Sequence, residues 1–463
     1  MSEIKILLNS QKANSRSLLM TSSMSPARIL AIGFALLILL GGALLSLPIA
    51  TENYSGTPYL DAVFTATSAL CVTGLVVVDT ADHYSFFGEI VILCLIQIGG
   101  LGFMSFATLF AILLGRKINL RQRIILQESF NQLSLEGIVR LVKSVLIFSF
   151  AIEGMGALLL FLRWYHKMGI SKGAYYAIFH SISAFNNAGF DLYGGFRSLT
   201  AQTNDLIVNL TIMSLIIAGG LGFTVLVDIY QKRGGKLNLH SRLVLQTTFL
   251  LIVISFIFIL FNEMNNQKTI GDLDWYTKIL ASLFQSVAPR TAGFSTLQIA
   301  DFNPSTLFFM IILMFIGASP GSTGGGIKTT TFLSVILCIV SVLKGNENVV
   351  TKERTLPHNT IRKSFAITIL ALIWVVTVII VLLRTETTGL LSILFEIVSA
   401  FGTVGLTMGL TPSLSVIGKI FIILTMYFGR VGLVTVALAI SLKNKKHTPM
   451  SHIKYPEDKI IIG

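Results

Sequence analysis

Four stretches of this chain decide its fold: FTATSALCVTG at 64–74, FHSISAFNNAG at 179–189, LFQSVAPRTAG at 283–293 and FEIVSAFGTVG at 395–405. They align without a gap on their last glycine, and each has an alanine five residues earlier, at Ala69, Ala184, Ala288 and Ala400. The glycines are 115, 104 and 112 residues apart. A pattern that returns about once per quarter of a chain predicts pseudo-fourfold symmetry, and four equivalent segments around one axis build a pore.

Outward from these stretches the chain reads as a membrane protein. It is 53% hydrophobic and 12% charged, with a mean hydropathy of +0.78. Soluble domains are about 25% charged. Eight stretches are long and apolar enough to span a bilayer: 28–47, 86–114, 141–162, 204–229, 242–262, 305–342, 364–384 and 415–442. The polar opening, with Lys5, Lys12 and Arg16, precedes a full-length span and is not expected to be a cleavable signal peptide. Of 35 Lys and Arg residues, 24 fall on the side holding both termini, nine on the other, and Lys328 and Arg430 inside spans. The positive-inside rule makes the basic side cytoplasmic. The net charge of +13 therefore signals topology and points away from a nucleic-acid partner. Acidic residues favour the outside, 13 to eight, which would weakly concentrate cations there unless they only solubilise the loops. Cys71, Cys94 and Cys338 suggest no disulfide framework.

The expected fold is all-α, with eight transmembrane helices, four re-entrant pore helices and four membrane–pore–membrane repeats. The expected units are a cytoplasmic N-terminus at 1–24, repeats at 25–115, 140–230, 242–343 and 364–442, and a cytoplasmic tail at 443–463. The short apolar segments at 58–71, 173–186, 275–288 and 389–402 are about 21 Å long as helices, too short to cross. Asp61 opens the first, and Gly173, Asp274 and Gly389 begin the others. Re-entrant backbone at membrane depth must line protein or water. Their negative C-terminal ends would favour a cation.

Each quarter then supplies a tripeptide and its glycine: Cys71-Val72-Thr73-Gly74, Asn186-Asn187-Ala188-Gly189, Arg290-Thr291-Ala292-Gly293 and Gly402-Thr403-Val404-Gly405. Successive carbonyls can face one axis only if the backbone alternates in hand, which glycine permits. A ring of carbonyls can replace an alkali ion's hydration shell. Because no side chain recurs, backbone oxygens are expected to coordinate. A glycine after an apolar helix is ordinarily a C-cap. Four at one alignment, each between two spans, go beyond that.

On these residues the chain resembles the Trk/Ktr/HKT superfamily of potassium transporters, from about residue 25 to the end. The four-glycine pattern carries the resemblance. The short polar start makes it similar to the Ktr-type ion-translocating membrane subunit. The resemblance implies potassium as the preferred ion and sodium as a second candidate, transported or coupling. It implies no cofactor in this chain, a homodimer in the bacterial inner membrane, and a cytosolic regulatory ring that binds ATP or ADP.

The second spans repeat GGLGF at 99–103, GGLGF at 219–223 and GRVGL at 429–433, read as close helix packing in the first two. Arg430 replaces Gly100 and Gly220 in the fourth. A mid-membrane Arg is costly and functional. At about 6 Å it would repel a cation by roughly 3 kcal/mol at an effective dielectric of 20. The alternative is that it pairs with Glu153 or with loop carbonyls. In the third repeat Pro320, Gly321, Gly324, Gly325 and Gly326, followed by Lys328, break the span. The resemblance implies that this loop gates the pathway, and the repulsion read for Arg430 would act with it. A phosphate-binding loop is excluded, because Ile327 stands where its glycine must be. The amphipathic segment 115–143, with Gln127, Glu128 and Gln132, is read as a surface helix or a docking site. The rival function is a secondary transporter of another small solute, which broken helices also mark. An enzyme would need paired carboxylates or clustered histidines in the spans, and neither is present in the sequence.

Overall fold

The computed structural model describes residues 25–102, 104–106, 108, 118–129, 137–232 and 235–441. The tail 443–463, the start 1–24, Arg116, Lys117, Gln132 and Arg233 lie outside the described residues. Helices dominate. The longer ones are α1 Pro26–Leu45, α2 Tyr59–Leu70, α3 Phe86–Leu101, α4 Leu120–Ser129, α5 Ile138–Met168, α6 Ile170–Phe185, α7 Leu206–Leu221 and α8 Phe223–Lys232, then α9 Leu239–Glu263, α10 Trp275–Val287, α11 Pro304–Phe315, α12 Thr329–Leu343, α13 His358–Thr385, α14 Leu390–Gly402, α15 Val416–Val431 and α16 Leu433–Ser441. Two short strands, Val350–Thr351 and Arg354–Thr355, pair antiparallel between α12 and α13.

Among the described residues four helices are long and apolar enough to cross a membrane: α1, α5, α9 and α13. They are buried over only part of their length and turn large apolar side chains such as Leu36, Phe150, Phe249 and Ile380 outward. Lipid is the solvent those faces fit. The short helices α2, α6, α10 and α14 are the opposite case. Phe64, Phe179, Phe284 and Phe395, one on each, are fully buried. The second starts at Ile170, behind Gly169, three residues before the Gly173 expected from sequence. Gly169 has φ +79°, and that left-handed residue lets α5 turn straight into α6.

The continuous second spans expected at 86–114, 204–229 and 415–442 are not continuous. Each breaks at a glycine of its repeated motif: Gly102 at φ +81°, Gly222 at φ +94° and Gly432 at φ +90°. A right-handed helix has no place for a left-handed residue, so the turn ends there. α7 and α8 meet at 96° across Gly222. The third such segment breaks as its sequence requires, with the loop 316–328 between α11 and α12. Caps fix where these segments begin. Ser85, Asp205 and Ser415 accept from the backbone N–H groups of Gly88, Val208 and Gly418.

The amphipathic segment contains α4, which packs beside α1 with Ile125 and Leu126 buried.

Candidate ion pathway

The C-terminal ends of α2, α6, α10 and α14 come together. A β-carbon built on Gly74 would lie 2.5 Å from the Ala188 carbonyl oxygen, and one on Gly189 would lie 2.6 Å from the Gly293 α-carbon. One on Gly293 would lie 2.9 Å from the Val404 carbonyl oxygen, and one on Gly405 would lie 2.1 Å from that of Thr73. The four glycines therefore follow one another around a closed circuit, each against the strand of its neighbour. No side chain larger than hydrogen fits at any of them.

The backbone alternates in hand as expected, with a second left-handed residue in each quarter. Gly74, Gly189, Gly293 and Gly405 have φ between +72° and +92°. Two residues before them, Val72, Asn187, Thr291 and Thr403 have φ between +50° and +67°. β-Branched residues rarely adopt that conformation, and holding one there costs about 1–3 kcal/mol. The strand's N–H groups turn back to the helices: Thr73 to the Ser68 carbonyl, Ala188 to that of Ser183 and Val404 to that of Ser399, each at 2.8 Å. The outcome concerns the oxygens. Among the described residues, none of the sixteen carbonyls of the four tetrapeptides accepts a hydrogen bond from the chain. Nearly all buried backbone carbonyls are paired. The third carbonyl of each tetrapeptide, at Thr73, Ala188, Ala292 and Val404, lies instead against the glycine of a neighbouring quarter.

A recurring side chain passed unread in the sequence. Ser68, Ser183 and Ser399 stand six residues before the glycine in three of the four stretches. The Ser68 hydroxyl accepts from Gly74 N–H at 3.0 Å and that of Ser399 from Gly405 N–H at 3.1 Å. The Ser183 hydroxyl donates to the Phe190 carbonyl at 2.7 Å. Val287 holds the fourth place, and there Gln285 Nε2 ties the strand's exit through the Ser295 hydroxyl at 2.7 Å. The alignment that found the alanines also held this serine.

The first residues of the tetrapeptides point behind the strand. Cys71 is fully buried. Asn186 meets Gln97 and Glu153. Arg290 is buried, its Nη2 3.3 Å from the Thr248 hydroxyl of α9. Gly402 packs on α11, where a β-carbon would lie 2.4 Å from the Met314 carbonyl oxygen. Across the second residues, the Thr291 hydroxyl donates to the Asn187 amide oxygen at 3.0 Å.

On one side of the glycine circuit lies a cavity of about 100 Å³ lined by the four glycines, Asp79, Asp191 and Arg197. The loop 316–328 lies on the other side. Ile316 and Ile327 bridge in parallel and close it. Its triglycine rises to the tetrapeptides. Gly325 N–H donates to the Thr403 hydroxyl at 3.0 Å, and a β-carbon on Gly324 would lie 2.2 Å from the Thr291 hydroxyl. Thr323 N–H and Ser319 N–H donate to the carbonyls of Gly219 and Gly220 at 3.2 and 3.1 Å. Phe223 N–H donates to the Gly321 carbonyl at 2.8 Å, beside Pro320, whose oxygen lies 2.6 Å from a β-carbon built on Gly222. Beyond the loop is a cavity of about 290 Å³ lined by Gly321, Gly324, Gly326, Lys328, Gly429 and Arg430, among others.

Arg430 donates to the carbonyls of Thr323 in the loop and Gly99 in α3, and to that of Gly100 at 3.2 Å. The alternative partner read from the sequence, Glu153, is held by Gln97 and Asn186 instead. Lys328 Nζ donates to the Gly324 carbonyl at 2.6 Å. The repeated small residues do pack closely, and against a definite target. A β-carbon on Gly99, Gly219 or Gly429 would lie 1.8–2.0 Å from the carbonyl oxygen of Leu70, Phe185 or Phe401, each just before a tetrapeptide.

This is the frame of a membrane cation-transport protein: carbonyls without hydrogen-bond donors at a narrow circuit, fed by helix C-termini, with two cations in and beside a loop below. The chain matches the TrkH cation transport protein family over residues 25–448 and belongs to it. It is 43% identical over 440 residues to the Ktr system potassium uptake protein B of Bacillus subtilis, covering 95% of this chain and 97% of that one. It is 41% identical over 446 residues to the potassium/sodium uptake protein NtpJ of Enterococcus hirae, covering 95% and 98%. The solved potassium transporter TrkH of Vibrio parahaemolyticus shares the fold, with a TM-score of 0.69 over 89% of this chain and 85% of that one, at 20% identity.

Proposed function

We propose that this chain takes up potassium across the bacterial cell membrane through a filter of backbone carbonyls contributed by four membrane–pore–membrane repeats around one axis. The observation that carries the reading is the set of sixteen carbonyls at the glycine circuit, none of which accepts a hydrogen bond from the described residues. A dehydrated alkali ion has the charge and the ligand demand to meet them. The matched relatives are named for potassium uptake, and one for potassium and sodium, which supports sodium as a second transported or coupling ion. In this reading the basic face is cytoplasmic and holds both termini, and the loop 316–328 with Arg430 is the gate. The name Ktr system supports partner components. We assign these as a second copy of the chain and a cytosolic nucleotide-binding ring. The repeat boundaries 25–115, 140–230, 242–343 and 364–442 belong to the same proposal.

The test is potassium uptake in a transport-deficient cell, comparing the unaltered chain with Gly293→Ser. A hydroxymethyl there meets the Gly189 α-carbon, so potassium preference over sodium should be lost along with growth on low potassium. Equal growth and equal preference would remove the filter assignment.

A further inference from the structure

Glu153 lies mid-way along α5 and is 5% exposed. Among the described residues no Lys or Arg forms an ion pair with it. An ionisable side chain inside a membrane segment is expensive and marks function. Its partners are amides. Gln97 Nε2 of α3 donates to its two oxygens at 3.1 and 3.0 Å, and Asn186 Nδ2 donates to Oε1 at 2.9 Å. Asn186 Nδ2 also reaches Gln97 Oε1 at 2.8 Å and the Ile182 carbonyl at 2.9 Å. The Ser181 hydroxyl fixes the Glu153 backbone by donating to its carbonyl at 2.6 Å.

Three acceptors thus surround one NH2 group, which sets the orientation of the Asn186 amide. Turned over, its oxygen would face three other oxygens with no hydrogen between them. In the orientation held, Asn186 Oδ1 is buried without a hydrogen-bond partner and packs on α3, where a β-carbon on Gly100 would lie 2.0 Å from it. The Gly100 carbonyl in turn accepts from Arg430. A continuous line of contacts therefore runs from Glu153 through Asn186 and Gly100 to Arg430.

We propose that Glu153 is a positioning residue for ion preference: by fixing the Asn186 amide it sets the second quarter of the filter and the carbonyl seat of Arg430. This rests on the filter reading above. A carboxylate suits the task because it only accepts. An amide at 153 could present N–H groups and let Asn186 turn.

The experiment measures sodium and potassium uptake, per amount of chain inserted in the membrane, in cells lacking their own potassium transport. Glu153→Ala removes the acceptor, and Asn186→Asp sets two carboxyl groups against each other. Each should raise the sodium-to-potassium ratio about tenfold, a size common for coupled neighbours. The exchange of acid and amide, Glu153→Gln with Asn186→Asp, should bring the ratio most of the way back. Ratios unmoved in both single variants, or an exchange no better than Asn186→Asp alone, would overturn the proposal. If Glu153→Ala fails to insert, the comparison of Asn186→Asp with the exchange decides. Potassium uptake by the unaltered chain is read in parallel. Its absence sinks the pathway itself, whereas normal uptake with unmoved ratios sinks only the role of Glu153.

Discussion

The smallest groups allow the closest approaches in this chain. A hydrogen on Gly405 is all that separates its α-carbon from the Thr73 carbonyl of the adjacent strand. Val72 and Thr403 sit in a left-handed conformation that their branching disfavours, held there by strands anchored at Ser68 and Ser399. Charge acts at this scale too. Asp191 follows Gly189 by two residues and lines the cavity above the glycines. Burial, with the nearby Asp79 charge adding to it, pushes its carboxyl up to about 7, against the Tyr193 N–H that bonds its charged form. Falling pH protonates a raised carboxyl and removes its pull on cations. If this cavity faces outward, the KM for potassium should rise as external pH falls from about 8 to about 6, and Asp191→Asn should flatten that profile. A profile unchanged by the substitution would exclude Asp191 as the titrating group.

Among the elements, the loop 316–328 is distinctive because its hydrogen-bond partners lie in the second and fourth quarters of the chain. It bonds to the turns at Gly219, Gly220 and Phe223, to Thr403 and Gly429, and to Arg430. None of these contacts is an apolar core. Hydrogen bonds of this kind contribute about 1 kcal/mol net each, so a rearrangement that exchanges them for water is accessible. Deleting 324–326, or replacing Arg430→Gln, should raise cation flux and uncouple it from regulation. For Arg430→Gln the upper bound is about a hundredfold, from the roughly 3 kcal/mol of repulsion removed. Flux from reconstituted vesicles is the measurement, and an unchanged rate would argue that the loop and Arg430 are only structural.

The molecule as a whole must close on itself for the first and last quarters to meet. Among the contacts of that seam, Lys419 of α15 pairs with Asp61 of α2 at 2.6 Å, the Tyr427 hydroxyl donates to the Ala31 carbonyl of α1 at 2.7 Å, and α16 packs along α1. Both members of the ion pair are mostly buried. Removing one leaves the other without its partner at a low-dielectric site. Asp61→Asn should therefore lower stability by about 1–3 kcal/mol, and Asp61→Asn with Lys419→Met should lower it less. Thermal unfolding in detergent reads both, and equal losses would mean that the pair contributes only its packing.

The membrane character, the four glycine stretches and the broken third span were written in the sequence, because each follows from composition or from residues a few positions apart. Glycine where a carbonyl ring must alternate in hand, and Pro320 with four glycines inside an apolar run, are local statements of backbone geometry. The breaks at Gly102, Gly222 and Gly432 were legible only as small residues, since a glycine's sign of φ depends on what the turn must meet. For Gly222 that is the loop nearly a hundred residues further on. Tertiary structure alone decided which acceptors Arg430 takes, that Glu153 serves Asn186 instead, and that Lys419 closes on Asp61. Those partners are 331, 33 and 358 residues apart along the chain. Periodicity and composition describe one segment at a time, whereas a buried charge is satisfied by whichever segment the packing brings beside it.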